Sequence, residues 1–235
     1  MISIFSLIFK SPEYAQFVYD GIMKNTQMIA SREAEFYFVV NFKKGDSEKV
    51  VEYLKEKNYP HFIYDKNPDQ PNYPANISDI YKSWNFGVSK AKGDIIVMLN
   101  SDMFPCCNHW LEDMLEWYSE DKILTPRLVE SGRIPSIFPH TLIWNFGRSP
   151  GEFQMEDFMV YANMWKQRKL EPRGLFMPLM MSKKLFLEVG GFPEGNINGV
   201  SGDQIFFYER LKGKAEHLTP YNVLFYHIQE GESRP

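Results

Sequence analysis

Alternation constrains this chain most. Within its first hundred residues, four runs of strand-forming residues are separated by stretches with helical spacing. The runs are Ile2–Phe9, Glu35–Val40, His61–Tyr64 and Asp94–Leu99. Between them, Glu13–Ile29 carries Phe17, Val18, Ile22 and Met28 on an approximate stripe. Ser47–Lys57 turns Val50, Val51 and Leu54 inward, with Asp46 or Ser47 placed to cap it. A loop rich in Asn, Pro and Asp runs from Asp65 to Asn76, and Ile80–Lys92 then reads as a helix stopped by Gly93. Parallel neighbours need a crossover, and a helix supplies it, so this pattern closes βαβ units. The expectation is an α/β fold with a mainly parallel central sheet flanked by helices. Asp94–Leu99 is the most apolar run and belongs near the middle of that sheet.

The second half is less regular. Trp110, Leu111, Met114, Leu115 and Tyr118 predict a helix over about Pro105–Ser119, with Cys106 and Cys107 packing at its start. Strand-like pieces follow near Ile123 and over Ile134–Phe138, and Met155–Lys169 reads as a helix or a loop. No internal repeat and no linker divides the chain, so residues 1–235 are expected to form a single domain.

Composition removes whole classes. A net charge of −4 lacks the concentrated basic face that nucleic-acid binding needs. Two adjacent cysteines cannot build a disulfide framework, which points to a reducing, cytoplasmic setting. No segment reads as membrane-spanning, and the apolar start has neither a basic region before it nor a cleavage site after it. Neither a Gly-x-Gly-x-x-Gly nor a Gly-x4-Gly-Lys-Ser/Thr pattern occurs, which disfavours dinucleotide and P-loop enzymes. The residues after the first strand, Phe9-Lys10-Ser11-Pro12-Glu13, hold no glycine, so they offer no nucleotidylyltransferase phosphate loop.

In open α/β sheets, ligands bind beyond the carboxyl ends of the strands. The most apolar strand ends in Asn100-Ser101-Asp102. A carboxylate there is placed to hold Mg²⁺ or Mn²⁺, and an Asx turn or helix cap ahead of Pro105 is the other reading. Leu99-Asn-Ser-Asp102 resembles the DXD motif of GT-A-fold glycosyltransferases, family-2 enzymes especially. Trp84-Asn85-Phe86-Gly87-Val88, followed by Ala91-Lys92-Gly93-Asp94, resembles the segment that leads into that motif. Gly190-Gly191-Phe192-Pro193-Glu194 is similar to the family's Gly-Gly-Phe-Asp-Glu turn. Gly202-Asp203-Gln204, with Phe207 and Arg210, resembles the helix start that supplies the catalytic carboxylate.

These blocks fall in the family's order across residues 2–228. The resemblance implies a Rossmann-like GT-A domain with a nucleotide-sugar half (1–104) and an acceptor half (105–235). It implies a metal-dependent transferase taking a UDP- or GDP-sugar to a hydroxyl on a glycan, a lipid-linked or a protein acceptor. Asn41, Trp84, Asn85, Asn100, Ser101, Asp102 and Gly191 would bind the nucleotide sugar. Asp102 and His227, the latter ending the short apolar strand Phe225-Tyr226-His227, would hold Mn²⁺ or Mg²⁺. Asp203 would be the base of an inverting transfer, set in the first helical turn by a capping box, Ser201-x-x-Gln204. The chain departs from the family at Asn100 and Asn41, which stand where an Asp is usual. A retaining transferase and a binding module without catalysis are the alternatives. Trp144 and Trp165 are candidates to stack on acceptor sugars or simply pack, and Arg148, Arg168 and Arg173 are candidate phosphate partners.

Overall fold

The computed structural model describes residues 1–65, 77–134, 140–194, 200–229 and 231–233. Much of the Asp65–Asn76 loop, the strand-like piece over 134–138 and Gly199 therefore lie outside the described residues, apart from their ends at Asp65 and Ile134. Four strands, β1 (Ile2–Ile8), β2 (Ala34–Phe42), β3 (His61–Asp65) and β4 (Ile95–Leu99), lie parallel in the order β3-β2-β1-β4. Helices α1 (Pro12–Asn25), α2 (Gln27–Ala30), α3 (Glu48–Glu56) and α4 (Ile77–Lys90) make the crossovers. The long helix expected to Ile29 breaks at Thr26, whose hydroxyl accepts from the Trp110 indole at 2.9 Å and whose backbone bridges His109. Ser47 stands at the start of α3, but its hydroxyl accepts from Lys43 N rather than from the helix.

The sheet continues through β10 (Leu179–Ser182), β6 (Lys122–Leu124), β11 (Glu216–Pro220) and β9 (Leu170–Pro172) to eight strands. β1 is buried along its whole length and β4 along nearly all of it, which is why both read as continuous apolar runs. A second sheet orders β5 (Met103–Pro105), β12 (Leu224–His227), β7 (Arg127–Glu130) and β8 (Leu142–Ile143).

This second sheet corrects the expected helix over Pro105–Ser119. Residues 103–105 pair antiparallel with β12, and the helix is only α5 (Trp110–Leu115). Its apolar stripe is real, since Trp110, Leu111 and Met114 are buried, but strand pairing claims the residues before it. Cys106 and Cys107 thus lie in the turn ahead of α5, not within it. Met155–Lys169 contains α6 (Met155–Trp165). Helix α7 (Lys183–Glu188) and the short α8 (Gly202–Ile205), extended by a π-helical turn over Phe206–Arg210, cover the other face.

Candidate active site

Parallel register brings two loops to one edge. The ladder between β1 and β2 ends at the Ile8–Val40 pair, and Leu99 of β4 lies opposite Ser6 of β1. Phe9–Ser11 and Asn100–Asp102 therefore leave the sheet together, while Asn41, expected just past the second strand, lies inside β2 and pairs with Tyr64 of β3. The Asn41 Oδ1 atom is buried with no hydrogen-bond partner among the described residues.

Asp102 is buried and faces His227. The two come from separate strands, since Asp102 follows β4 while His227 ends β12, and Ile228 N donates to Asp102 O at 3.1 Å. His227 Nε2 lies 3.3 Å from Asp102 Oδ2, and its Nδ1 lies 3.0 Å from Glu130 Oε1. Glu130 is the register partner of His227 across the β7–β12 ladder. Burial alone would lower the pKa of this imidazole, but the two facing carboxylates outweigh it and raise it to about 10. One oxygen of each acid, Asp102 Oδ1 and Glu130 Oε2, is buried with no partner among the described residues. An unpartnered carboxylate oxygen beside an imidazole nitrogen is a donor pair that suits Mn²⁺ or Mg²⁺. No group of three or more His, Cys, Asp or Glu side chains among the described residues already surrounds one metal-sized point.

The tail closes over this corner. Glu232 takes three consecutive backbone N–H groups past β1, with Phe9 N at 2.6 Å, Lys10 N at 3.1 Å and Ser11 N at 2.6 Å. Ser101 Oγ donates to the same carboxylate at 3.4 Å. Burial raises the Glu232 pKa and the Asp102 charge adds to that rise, while the three amides oppose both. Gly231 has a φ of 42°, and a Cβ there would lie 2.9 Å from Asp102 Oδ2, so the tail reaches the acid only through a glycine.

A second cluster forms around Gly191. Asn85, on α4, donates through Nδ2 to Phe192 O and accepts at Oδ1 from Phe192 N, each at 2.9 Å. Gly191 has a φ of 64°, and a Cβ would stand 2.7 Å from Asn85 Oδ1. Arg210 Nη1 donates to the carbonyls of Gly190 and Gly191 at 2.6 and 2.7 Å. Trp84 is buried in the core against Phe5.

Asp203 sits in the first turn of α8, as the sequence implied, but without the capping box. Ser201 Oγ donates to Asp203 Oδ1 instead of accepting from the helix, and Gln204 N donates to the same oxygen at 2.8 Å. Tyr81 lies against this carboxylate; burial raises its phenol pKa and the charge of Asp203 adds to the rise.

No protein-family profile and no curated protein matches the chain. Solved structures do. TarS residues 1–349 from S. aureus superimpose at a TM-score of 0.60 and 15% identity, over 96% of this chain and 60% of that one. The mannosyltransferase PcManGT from Pyrobaculum calidifontis, in complex with GDP-Man and Mn²⁺, gives 0.61 and 12% over 97% and 56%. GalNAc-T7 with UDP, GalNAc and Mn²⁺ gives 0.62 and 14% over 97% and 43%. The chain has the GT-A fold.

The chain spans between 43% and 60% of these structures' own length. On its GT-A sheet, Ser101, Asp102 and His227 come together at the carboxyl edge, and Asn85 and Gly191 meet at the second cluster. Both hydrogen-bonding ends of Asn85 hold the Gly-Gly-Phe turn, and Trp84 packs in the core. Sequence reasoning missed Glu130 and Glu232. Glu130 ends a run of only four residues, Arg127-Leu-Val-Glu130, too short to mark it from the sequence. Trp144 is 56% exposed and stacks on Tyr161, while Arg168 pairs with Glu116 at 3.6 Å.

Proposed function

We propose that this protein is a metal-dependent glycosyltransferase that moves a sugar from a UDP- or GDP-sugar to an acceptor hydroxyl. The observation that carries the reading is the 3.3 Å approach of His227 Nε2 to Asp102 Oδ2 at the carboxyl edge of the sheet. Asp102 and His227 are the residues that would hold Mn²⁺ or Mg²⁺. Glu130 fixes the His227 ring through Nδ1, the arrangement that orients metal-bound histidines. When bound, the cation offsets the negative charge that develops on the departing nucleoside diphosphate. Asn41, Asn100 and Ser101 line the same edge and would contact the nucleoside and its phosphates, with residues 1–104 serving the donor. Residues 105–235 serve the acceptor, a glycan, lipid-linked or protein hydroxyl, yet they also lend His227 and Glu130 to the donor side. Asp203 takes the proton of the attacking hydroxyl in an inverting transfer, oriented by the hydrogen bonds from Ser201 and the Gln204 amide. The paired free thiols fit a cytoplasmic setting.

Two features favour a second reading, a nucleotide-sugar-binding module without catalysis. Asn100 stands in the first DXD position, and Glu232 fills the amide cradle past β1. Calorimetry with UDP and GDP, with and without Mn²⁺, tests the first reading. Mn²⁺ is expected to tighten binding about 100-fold, and Asp102→Ala to abolish that gain. Equal affinity with and without the metal contradicts it. Slow hydrolysis of the sugar donor without acceptor separates an enzyme from a binding module.

A further inference from the structure

Away from the donor edge, three elements converge on a sulfur atom. Cys107 lies in the turn between β5 and α5, Lys166 follows α6, and Asp113 is in α5. Lys166 Nζ is 3.0 Å from Cys107 Sγ and 3.5 Å from Asp113 Oδ2. The Cys106 thiol points at the same sulfur, with the two Sγ atoms 3.5 Å apart. Cys106 is buried, its N donating to Leu224 O and its Sγ accepting from Leu224 N, whereas Cys107 is only half-buried. One sulfur is thus reachable from solvent and faces an ammonium group and a thiol donor, while the other is sealed behind it.

We propose that Cys107 is a nucleophilic thiolate that hydrogen peroxide oxidises, and that Cys106 resolves the product as a disulfide between the two neighbours. The Cys107 sulfur attacks one peroxide oxygen; the S–O bond forms, the O–O bond breaks, and the displaced hydroxide takes a proton to become water. The Cys106 sulfur then attacks the sulfenic sulfur of Cys107. The S–S bond forms, the S–O bond breaks, and the leaving hydroxide departs as water with the Cys106 proton. Two thiols are oxidised by two electrons and one peroxide is reduced to two waters. Adjacent Cα atoms stand about 3.8 Å apart, shorter than the roughly 4.4–6.8 Å usual across a disulfide, so the bond is strained and readily reduced again.

The electrostatics agree with the geometry. The groups facing the Cys107 sulfur are Cys106, Lys166 and the His109 backbone N–H, with Asp113 behind the lysine. The Cys106 thiol donor comes first in lowering the Cys107 pKa, burial opposes it, and the Lys166 charge carries it down to about 6. Its hydrogen bond to the Cys107 sulfur, then burial and the negative charge of that sulfur, push the Cys106 thiol up, which keeps it a thiol donor.

The test is alkylation of the full-length folded chain by iodoacetamide across pH, read at each cysteine by peptide mass spectrometry. Cys107 is expected to react with a midpoint near pH 6 while Cys106 stays unmodified. Lys166→Met should move the midpoint above about pH 8 and slow the reaction at neutral pH roughly tenfold, and Lys166→Arg should restore it. A Cys107 midpoint at the free-thiol value in the parent protein, or one unchanged by Lys166→Met, overturns the assignment. With one equivalent of hydrogen peroxide, the chain should become about 2 Da lighter and return to its starting mass with dithiothreitol. Addition of two oxygens to Cys107, with Cys106 still alkylatable after unfolding, would overturn the resolving role.

Discussion

Asp102 and Asp203 occupy two regions that treat a carboxylate in opposite ways. Around Asp102 the acid is buried, one oxygen is left without a partner, and the other faces an imidazole brought from a strand 125 residues later. Around Asp203 one oxygen takes two local hydrogen bonds, from Ser201 and from Gln204 N, within three residues of chain. An unpaired buried oxygen costs free energy that a cation or a water recovers, whereas a locally paired acid at a helix start is stable as it stands. The first region leaves a carboxylate oxygen open beside an imidazole. The second has its acid already engaged by its own neighbours in the chain.

This contrast breaks if the two acids fail in the same way. The largest effect is expected at Asp203→Asn, which should lower sugar transfer on the order of 10³-fold while donor affinity, read by calorimetry, changes less than about threefold. Retained turnover would remove Asp203 as the base. A smaller effect is expected at Glu130→Gln, where Mn²⁺ affinity should fall about tenfold with little change in transfer at saturating metal. A titration showing no loss of affinity would leave Glu130 a structural neighbour only.

The smallest effect is graded with pH. In the metal-free protein the His227 pKa is raised to about 10, so its pairing stabilises the fold fully below the unfolded value of about 6.5. That contribution fades as pH rises through 10. The melting-temperature advantage over His227→Gln should therefore shrink from pH 6.5 to 10, and Mn²⁺ affinity should rise over the same range as the competing proton leaves. A constant advantage across that range would separate His227 from both acids.

The two regions also differ in how far the sequence disclosed them. Asp102 was legible because β4 is buried on both faces and reads as an unbroken apolar run, so its end marks the carboxyl edge. His227 was legible from its place at the end of the short apolar strand Phe225-Tyr226-His227 together with the family resemblance. Glu130 was not, because β7 has only four residues and its partner in register lies 97 positions away. The expected helix from Pro105 failed on the same ground, as the pairing of Met103–Pro105 with β12 is a tertiary choice that local spacing does not encode. Glu232 left no local signal, since its partners are backbone amides 221 to 223 residues earlier. At the second cluster the Gly-Gly-Phe turn was visible, but the role of Asn85 in holding it shows only when both of its hydrogen bonds are seen.

The most direct test of the account is a crystal grown with Mn²⁺ and UDP or GDP, with diffraction measured at the manganese absorption edge. The account predicts a single strong anomalous peak in contact with Asp102 and His227 and with the phosphates of the nucleotide. Nucleotide bound at that edge with no anomalous density between the two side chains would contradict it.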